Sequence, residues 1–240
     1  MNAGTHRTPD GHLLPRRLTT GVAASTLLPA PVACGGSDGG AGGTTSITVA
    51  IPPAVSGIDV YAAQAQGYFT QHHLKVKIKT VNGGSAIVPA LASGAVQIGE
   101  SNVLSVVQGA SRGVKEPCIA GADTEAKVMS PQPDSEITPH PVYACWMASS
   151  SWLSHHKDVA SRFTAALNEA DQYMAAHPGC LSSILPKYTK VSAQLAGRVT
   201  LPDFATTMTP ADVQPWSQAA AQFKVTDSVV PPASIITSLK

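Results

Sequence analysis

The sequence predicts an α/β fold built on a parallel sheet. Short apolar or alternating runs at residues 46–51, 74–81, 96–99 and 117–120 have the length and composition of strands. Segments of helical length lie between them, opened by Gly, Ser or Asn and closed by Gly. Strand and helix taking turns in this way need crossover connections, and crossovers make parallel strands.

Each element follows from local chemistry. Ser46–Ile51 (SITVAI) is β-branched and apolar, as suits a buried parallel strand, and Pro52-Pro53 ends it. Residues 59–66 form a short helix closed by Gly67. Residues 74–81 (LKVKIKTV) alternate strictly, with Lys75, Lys77 and Lys79 on one face, which reads as an edge strand with a solvated lysine face. Asn82-Gly83-Gly84-Ser85 then opens a helix with Ser85 as its N-cap, Pro89 in its early turns and Gly94 after its end. A third strand covers residues 96–99, and Ser101 or Asn102 caps a helix that ends near Gly113. Residues 117–120 make the fourth strand.

The period is lost over residues 123–141, a polar, proline-rich linker. Residues 142–147 form one more strand, and the remainder is helical. Val159, Phe163, Leu167, Ala170 and Met174 recur at spacings of three and four and need a partner surface. That helix stops at His177-Pro178-Gly179, and residues 191–199 suggest another. Thr209-Pro210-Ala211-Asp212 supplies an N-cap, a proline at N1 and an acid at N3, ahead of a face made by Val213, Trp216, Ala220 and Phe223.

Composition excludes several classes. Among 240 residues, 43% are hydrophobic and 13% charged, the balance of a chain with a real core. A net charge of +1 and 5% aromatics give nucleic acid neither an electrostatic footprint nor a stacking platform. No apolar run is long enough for a transmembrane helix.

The first 34 residues read as an export signal. Arg7, Arg16 and Arg17 precede a weakly apolar stretch from Leu18 to Ala33. Arg16-Arg17 also hints at twin-arginine export, although Leu18-Thr19-Thr20 is a poor continuation. Pro31-Val32-Ala33-Cys34 resembles a bacterial lipobox, with Pro31 where a Leu-like residue is usual, and implies that Cys34 is lipidated. Residues 35–45 (GGSDGGAGGTT) then form a flexible tether that holds the domain off the membrane. Cys118, Cys145 and Cys180 remain, enough for one bridge at most. The apolar runs around Cys118 and Cys145 favour small buried side chains over a bridge.

In this order the chain resembles the nitrate/sulfonate/taurine-type solute-binding proteins of ABC importers, including relatives that bind thiamine pyrimidine precursors. The matching pieces are Ala65-Gln66-Gly67-Tyr68-Phe69, Leu74-Lys75-Val76, Gly84-Ser85 and Ala90-Leu91-Ala92-Ser93-Gly94. The run from Val142 through the helix ending at His177, and the Thr209–Phe223 helix ahead of Val229-Val230-Pro231, extend the match. The resemblance implies a type II periplasmic-binding-protein lobe, permease and ATPase partners, no cofactor, and an extracytoplasmic location. Such proteins trap ligand between two α/β lobes. Here residues 46–122 and 142–240 account for one lobe, and the linker of about twenty residues replaces a second that would need ~100.

Within this lobe the ligand contacts are expected at Pro53, Ser56 and Gly57, at Gly83, Gly84, Ser85 and Ala86, and at Ser101 and Asn102. Their backbone N–H groups and hydroxyls would grip an anionic or amide-like group, since a helix N-terminus offers free donors and a positive dipole end. The plain alternative is that Ser85 and Ser101 only cap helices. A half-open cleft leaves those bonds in competition with water, so binding is expected to be weak.

An enzyme has little support. His72-His73, His140, His155-His156 and His177 lack the spacing of a metal helix, and no nucleophile elbow or phosphate loop occurs. The cysteine-rich motif of the related pyrimidine-synthesising enzymes has no counterpart. The other reading is an interaction lipoprotein that uses its exposed half-cleft, with possible self-association.

Overall fold

Five strands hydrogen-bond in the order β2-β1-β3-β5-β4. They are β1 (Thr45–Ile51), β2 (Leu74–Thr80), β3 (Ile98–Asn102), β4 (Cys118–Asp123) and β5 (Ala144–Met147). The computed structural model describes residues 43–53, 55–123, 142–199, 201, 203–205 and 207–239. The expected signal peptide, Cys34 and most of the tether and linker lie outside the described residues.

β1 pairs in parallel with β2 and with β3, as expected. The sheet as a whole is mixed, because β5 runs antiparallel between β3 and β4. Returning strands carry no sequence mark of direction, so a wholly parallel sheet was the wrong expectation. β2 is an edge strand, with its three lysines exposed and Leu74 buried. On the opposite edge Cys118 bonds to the C-terminal segment, donating to the Ile235 carbonyl and accepting from Thr237 N–H.

The helices are α1 (Ile58–Gln66), α2 (Tyr68–Gln71), α3 (Gly84–Ala92), α4 (Val103–Ser111), α5 (Ser150–Ala176), α6 (Leu181–Tyr188), α7 (Ala193–Ala196) and α8 (Pro210–Gln222). One face of the sheet is covered by α1, α2, α5 and α6. Ile47, Val49, Ile51, Ile98 and Trp146 meet Val60, Phe69, Phe163, Leu167 and Met174 there. The spaced apolar residues of α5 are buried in that layer. The other face is covered by α3, α4 and α8, where Ile87, Leu91, Val103, Val107, Val213 and Trp216 pack on Ala50 and Met147. Gly99 permits the close seat of α3, because a β-carbon there would collide with Ile87.

Several sequence expectations shift. The 191–199 helix shrinks to the single turn of α7, while α6 forms before it and buries Leu181, Ile184 and Leu185 at helical spacing. α8 opens on the expected capping box, Thr209 N–H donating to Asp212 Oδ2 at 2.7 Å. Phe223 caps its far end and is 72% exposed, so it does not join the buried face. Cys118 and Cys145 are bonded to each other, with Cα atoms 5.8 Å apart, and Cys180 is free. Both bonded cysteines are fully buried, so burial and bridging coincide.

Candidate functional site

The carboxyl ends of β1, β2 and β3 lie along one edge of the sheet, since the three strands are parallel and in register. The loops and helix starts beyond that edge, with the last two residues of β3, contain every residue expected to touch ligand. Open α/β sheets bind ligands at this edge because loops and helix N-termini converge there.

From β1 the chain passes Pro53, which is exposed, into a 3₁₀ turn, Val55–Gly57, whose Ser56 is buried. Gly57 then starts α1 without a side-chain cap. From β2 the chain turns at Gly83, whose φ of +81° favours glycine, and Gly83 occupies the cap position of α3. Ser85 is therefore inside the helix, exposed, and does not cap it. Gly84 opens that helix, and Ala86 N–H donates to the Gly83 carbonyl at 3.2 Å. A glycine pair displaced the cap that the serine seemed to offer.

β3 runs three residues further than its apolar run suggests, taking in Glu100, Ser101 and Asn102. Asn102 is the N-cap of α4, its Oδ1 accepting from Ser105 N–H at 2.8 Å. Ser101 faces inward at 1% exposure, and its hydroxyl has no hydrogen-bond partner. So neither Ser85 nor Ser101 is a cap. The structure brings the three loops to one edge and buries Ser56 and Ser101 behind it.

Sequence reasoning missed the carboxylates beside these loops. Asp59, two residues past Gly57, is 1% exposed, as is Glu100. A β-carbon on Gly57 would stand 3.8 Å from Glu100 Oε2, so that carboxylate lies against the β1–α1 turn. Asp59 Oδ1 accepts from Val60 N–H at 2.8 Å and Oδ2 from Trp146 Nε1 at 3.3 Å. Burial, then the nearby Asp171 and Glu100 charges, hold the Asp59 carboxyl well above its ordinary range. Burial raises Asp171, on α5, to about 7. Asp171 also lines an open cleft of about 360 Å³ with Gln172, Ala175, Leu201, Asp203 and Phe204. The one available signal was a lone acid, Glu100, following an apolar strand.

Among the described residues, no group of three or more His, Cys, Asp or Glu side chains is arranged to hold a metal. His72 Nε2 pairs with Glu169 Oε1 at 2.8 Å and serves to join the end of α2 to α5. No helix of the described residues is long and apolar enough to cross a membrane.

The fold has counterparts among solved structures. The aliphatic sulphonate binding protein of Escherichia coli superposes with a TM-score of 0.62 at 8% identity, covering 80% of this chain and 92% of that one. A Candida albicans protein described as having the generic periplasmic binding protein fold gives 0.64 at 13% identity, covering 80% and 96%. The ligand-binding component of an ABC-type import system from Staphylococcus aureus, solved with zinc bound, gives 0.65 at 11% identity, covering 81% and 97%. This chain has the periplasmic-binding-protein fold. Within that fold, residues 56–122, from the 3₁₀ turn into β4, match the NMT1/THI5-like family model. No curated protein sequence matches the chain significantly.

Proposed function

We propose that this protein is the extracytoplasmic solute-binding component of an ABC importer. The observation that carries the reading is the convergence of three glycine- and hydroxyl-bearing loops at the carboxyl edge of a periplasmic-binding-protein sheet. The sulfonate-binding neighbours support a small solute of the sulfonate class, which the resemblance read from the sequence widens to nitrate, taurine and pyrimidines. Its contacts are Pro53, Ser56, Gly57, Gly83, Gly84, Ser85, Ala86, Ser101 and Asn102. Permease and ATPase subunits are its partners, and it acts by binding, without turnover.

Export and a lipid anchor at Cys34 fit the buried Cys118–Cys145 bridge, because such bridges form and persist in oxidising compartments. The lobe stands alone in this reading. What supports this is the short segment between β4, ending at Asp123, and β5, beginning at Ala144, against the ~100 residues of an ordinary lobe. One open wall lowers affinity and impairs transport unless a partner supplies the other.

The test is a thermal melt with alkyl sulfonates, nitrate, bicarbonate, taurine and pyrimidines. A saturable rise with one of them supports the reading, because binding to the folded state must stabilise it. A cooperative melt that none of them moves favours the second reading, a lipoprotein interaction module. The observation behind that second reading is Tyr143, which is 47% exposed at the same edge and stacks edge-on with Trp216 at 6.2 Å. Concentration-dependent dimerisation would then be expected.

A further inference from the structure

β2 carries a charge imbalance that the solute reading does not use. Residues 60–99 contain no aspartate or glutamate, and their lysines are Lys75, Lys77 and Lys79. All three are exposed, and none forms an ion pair with a described residue. Leu74, Val76 and Ile78 turn to the layer under α2 and α5, so strand alternation sends the lysines to the other side, in a row spaced ~6.6 Å apart. The core layer on that side includes Ala50 of β1 and no residue of β2. Beside the row, β1 sets Ser46 opposite Lys75 and Thr48 opposite Lys77. Parallel sheets ordinarily have both faces covered. Among the described residues, this outer strand instead shows an open, acid-free, cationic face.

The same strand is a sheet edge, paired only with β1. The His73 carbonyl accepts from Thr45 N–H, and Val81 N–H donates to the Ile51 carbonyl, each at 2.9 Å. Backbone groups alternate along a strand, so those of Lys75, Lys77 and Lys79 also turn to β1, and those of Val76, Ile78 and Thr80 turn outward. The outward groups have no backbone partner among the described residues.

An edge of this kind accepts an added strand, and the lysines decide which. A second copy of β2 would set lysine against lysine, and like charges directly opposite are unfavourable. A phosphate-bearing surface would meet the lysines but leave the outward backbone groups unused. Acidic side chains at every second position of an extended chain satisfy both. We infer that β2 docks an extended acidic segment of another polypeptide, added to the sheet with Asp or Glu at alternate positions opposite the lysine row. Its intervening side chains extend the apolar side made by Val76 and Ile78. The loops at the carboxyl edge stay open to solute.

The probe is a fluorescent nonapeptide in which glutamate alternates with threonine and valine, titrated against the full chain. One control replaces its glutamates by glutamine, a second gathers them into one block, and vesicles of phosphatidylglycerol and phosphatidylcholine make a third. The alternating peptide should bind saturably, and the glutamine peptide about tenfold more weakly or worse. Amide exchange should slow at Val76, Ile78 and Thr80 when the alternating peptide is bound. Lys75→Gln, Lys77→Gln and Lys79→Gln combined should abolish binding and leave the melt within about 2 °C, because these side chains are exposed. Equal binding of the glutamine peptide would overturn the charge assignment. Equal binding of the block peptide, with no slowing at the outward amides, would overturn strand addition. Binding to the vesicles alone would make the row a lipid contact and overturn the partner, and no binding to any probe would overturn the inference as a whole.

Discussion

The two faces of the sheet are packed from different materials. Under α1, α2, α5 and α6 the layer is aromatic and carries carboxylates: Phe69 stacks on Phe163 at 5.6 Å, Trp146 meets Phe163 edge-on at 5.2 Å, and Asp59 accepts from Trp146. Under α3, α4 and α8 the layer is mainly aliphatic and is fastened by Cys118–Cys145. One face is held by ring packing around a few polar groups, the other by a covalent tie. Core strength on the first face should respond to side-chain volume and to pH, and on the second to redox state.

The largest effect should come from Phe163→Ala. The ring is fully buried and shared by α5, α2 and β5, so its loss should cost about 4 kcal/mol in denaturant unfolding. A cost below about 1 kcal/mol would mean that the aromatic layer collapses to refill the space. On the other face, replacing Cys118 and Cys145 together by Val keeps apolar volume and removes only the tie. The bridge closes a separation of 27 residues, for which loop-closure entropy gives about 3.5 kcal/mol. Reduction after unfolding should lower the melt equally, and equal melts with and without reductant would remove the bridge from the account of that face.

Why one face was easier to read than the other is visible in particular residues. Val159, Phe163, Leu167, Ala170 and Met174 announce the buried side of α5 by spacing alone, and β1 and β2 announce theirs by composition. The direction of β5 was illegible because strand polarity depends on what precedes it in space, not in sequence. The apolar signal of β3 stops at Gly99, because an acid, a serine and an asparagine look like loop, although all three lie in the strand and the first two are buried. At the candidate site the loops were legible from their glycines. The carboxylates were not, since burial of Asp59 and Asp171 arises from α1 meeting α5, a tertiary event.

The carboxylates also set how stability varies with pH. Burial pushes Asp171 and Glu116 up to about 7, against ordinary values of 3.8 and 4.5, and holds Asp59 well above its ordinary range. The folded state therefore holds protons that the unfolded chain releases. Stability is full below about pH 4, falls as pH rises through 7, and is lowest above it. Urea unfolding at pH 5 and pH 8 should show this slope. Asp171→Asn should flatten it and stabilise the protein at pH 8 by about 2 kcal/mol, a figure reduced for the partial exposure of Asp171. A melt that rises from pH 5 to pH 8 would contradict the placement of these acids.

The smallest effects discriminate between the loops of the edge itself. Asn102→Ala removes the side-chain acceptor of Ser105 N–H at the start of α4 and should cost about 1 kcal/mol. Ser85→Ala changes an exposed residue inside α3 that caps nothing, so its effect on stability should stay within about 0.5 kcal/mol. The pair separates capping from contact. If Ser85→Ala leaves stability alone but weakens a ligand-induced rise in the melt, its hydroxyl is a solute contact. If the Ser85 variant loses as much stability as the Asn102 variant, then α3 is capped by its serine in solution and the Gly83 turn does not hold the geometry described above.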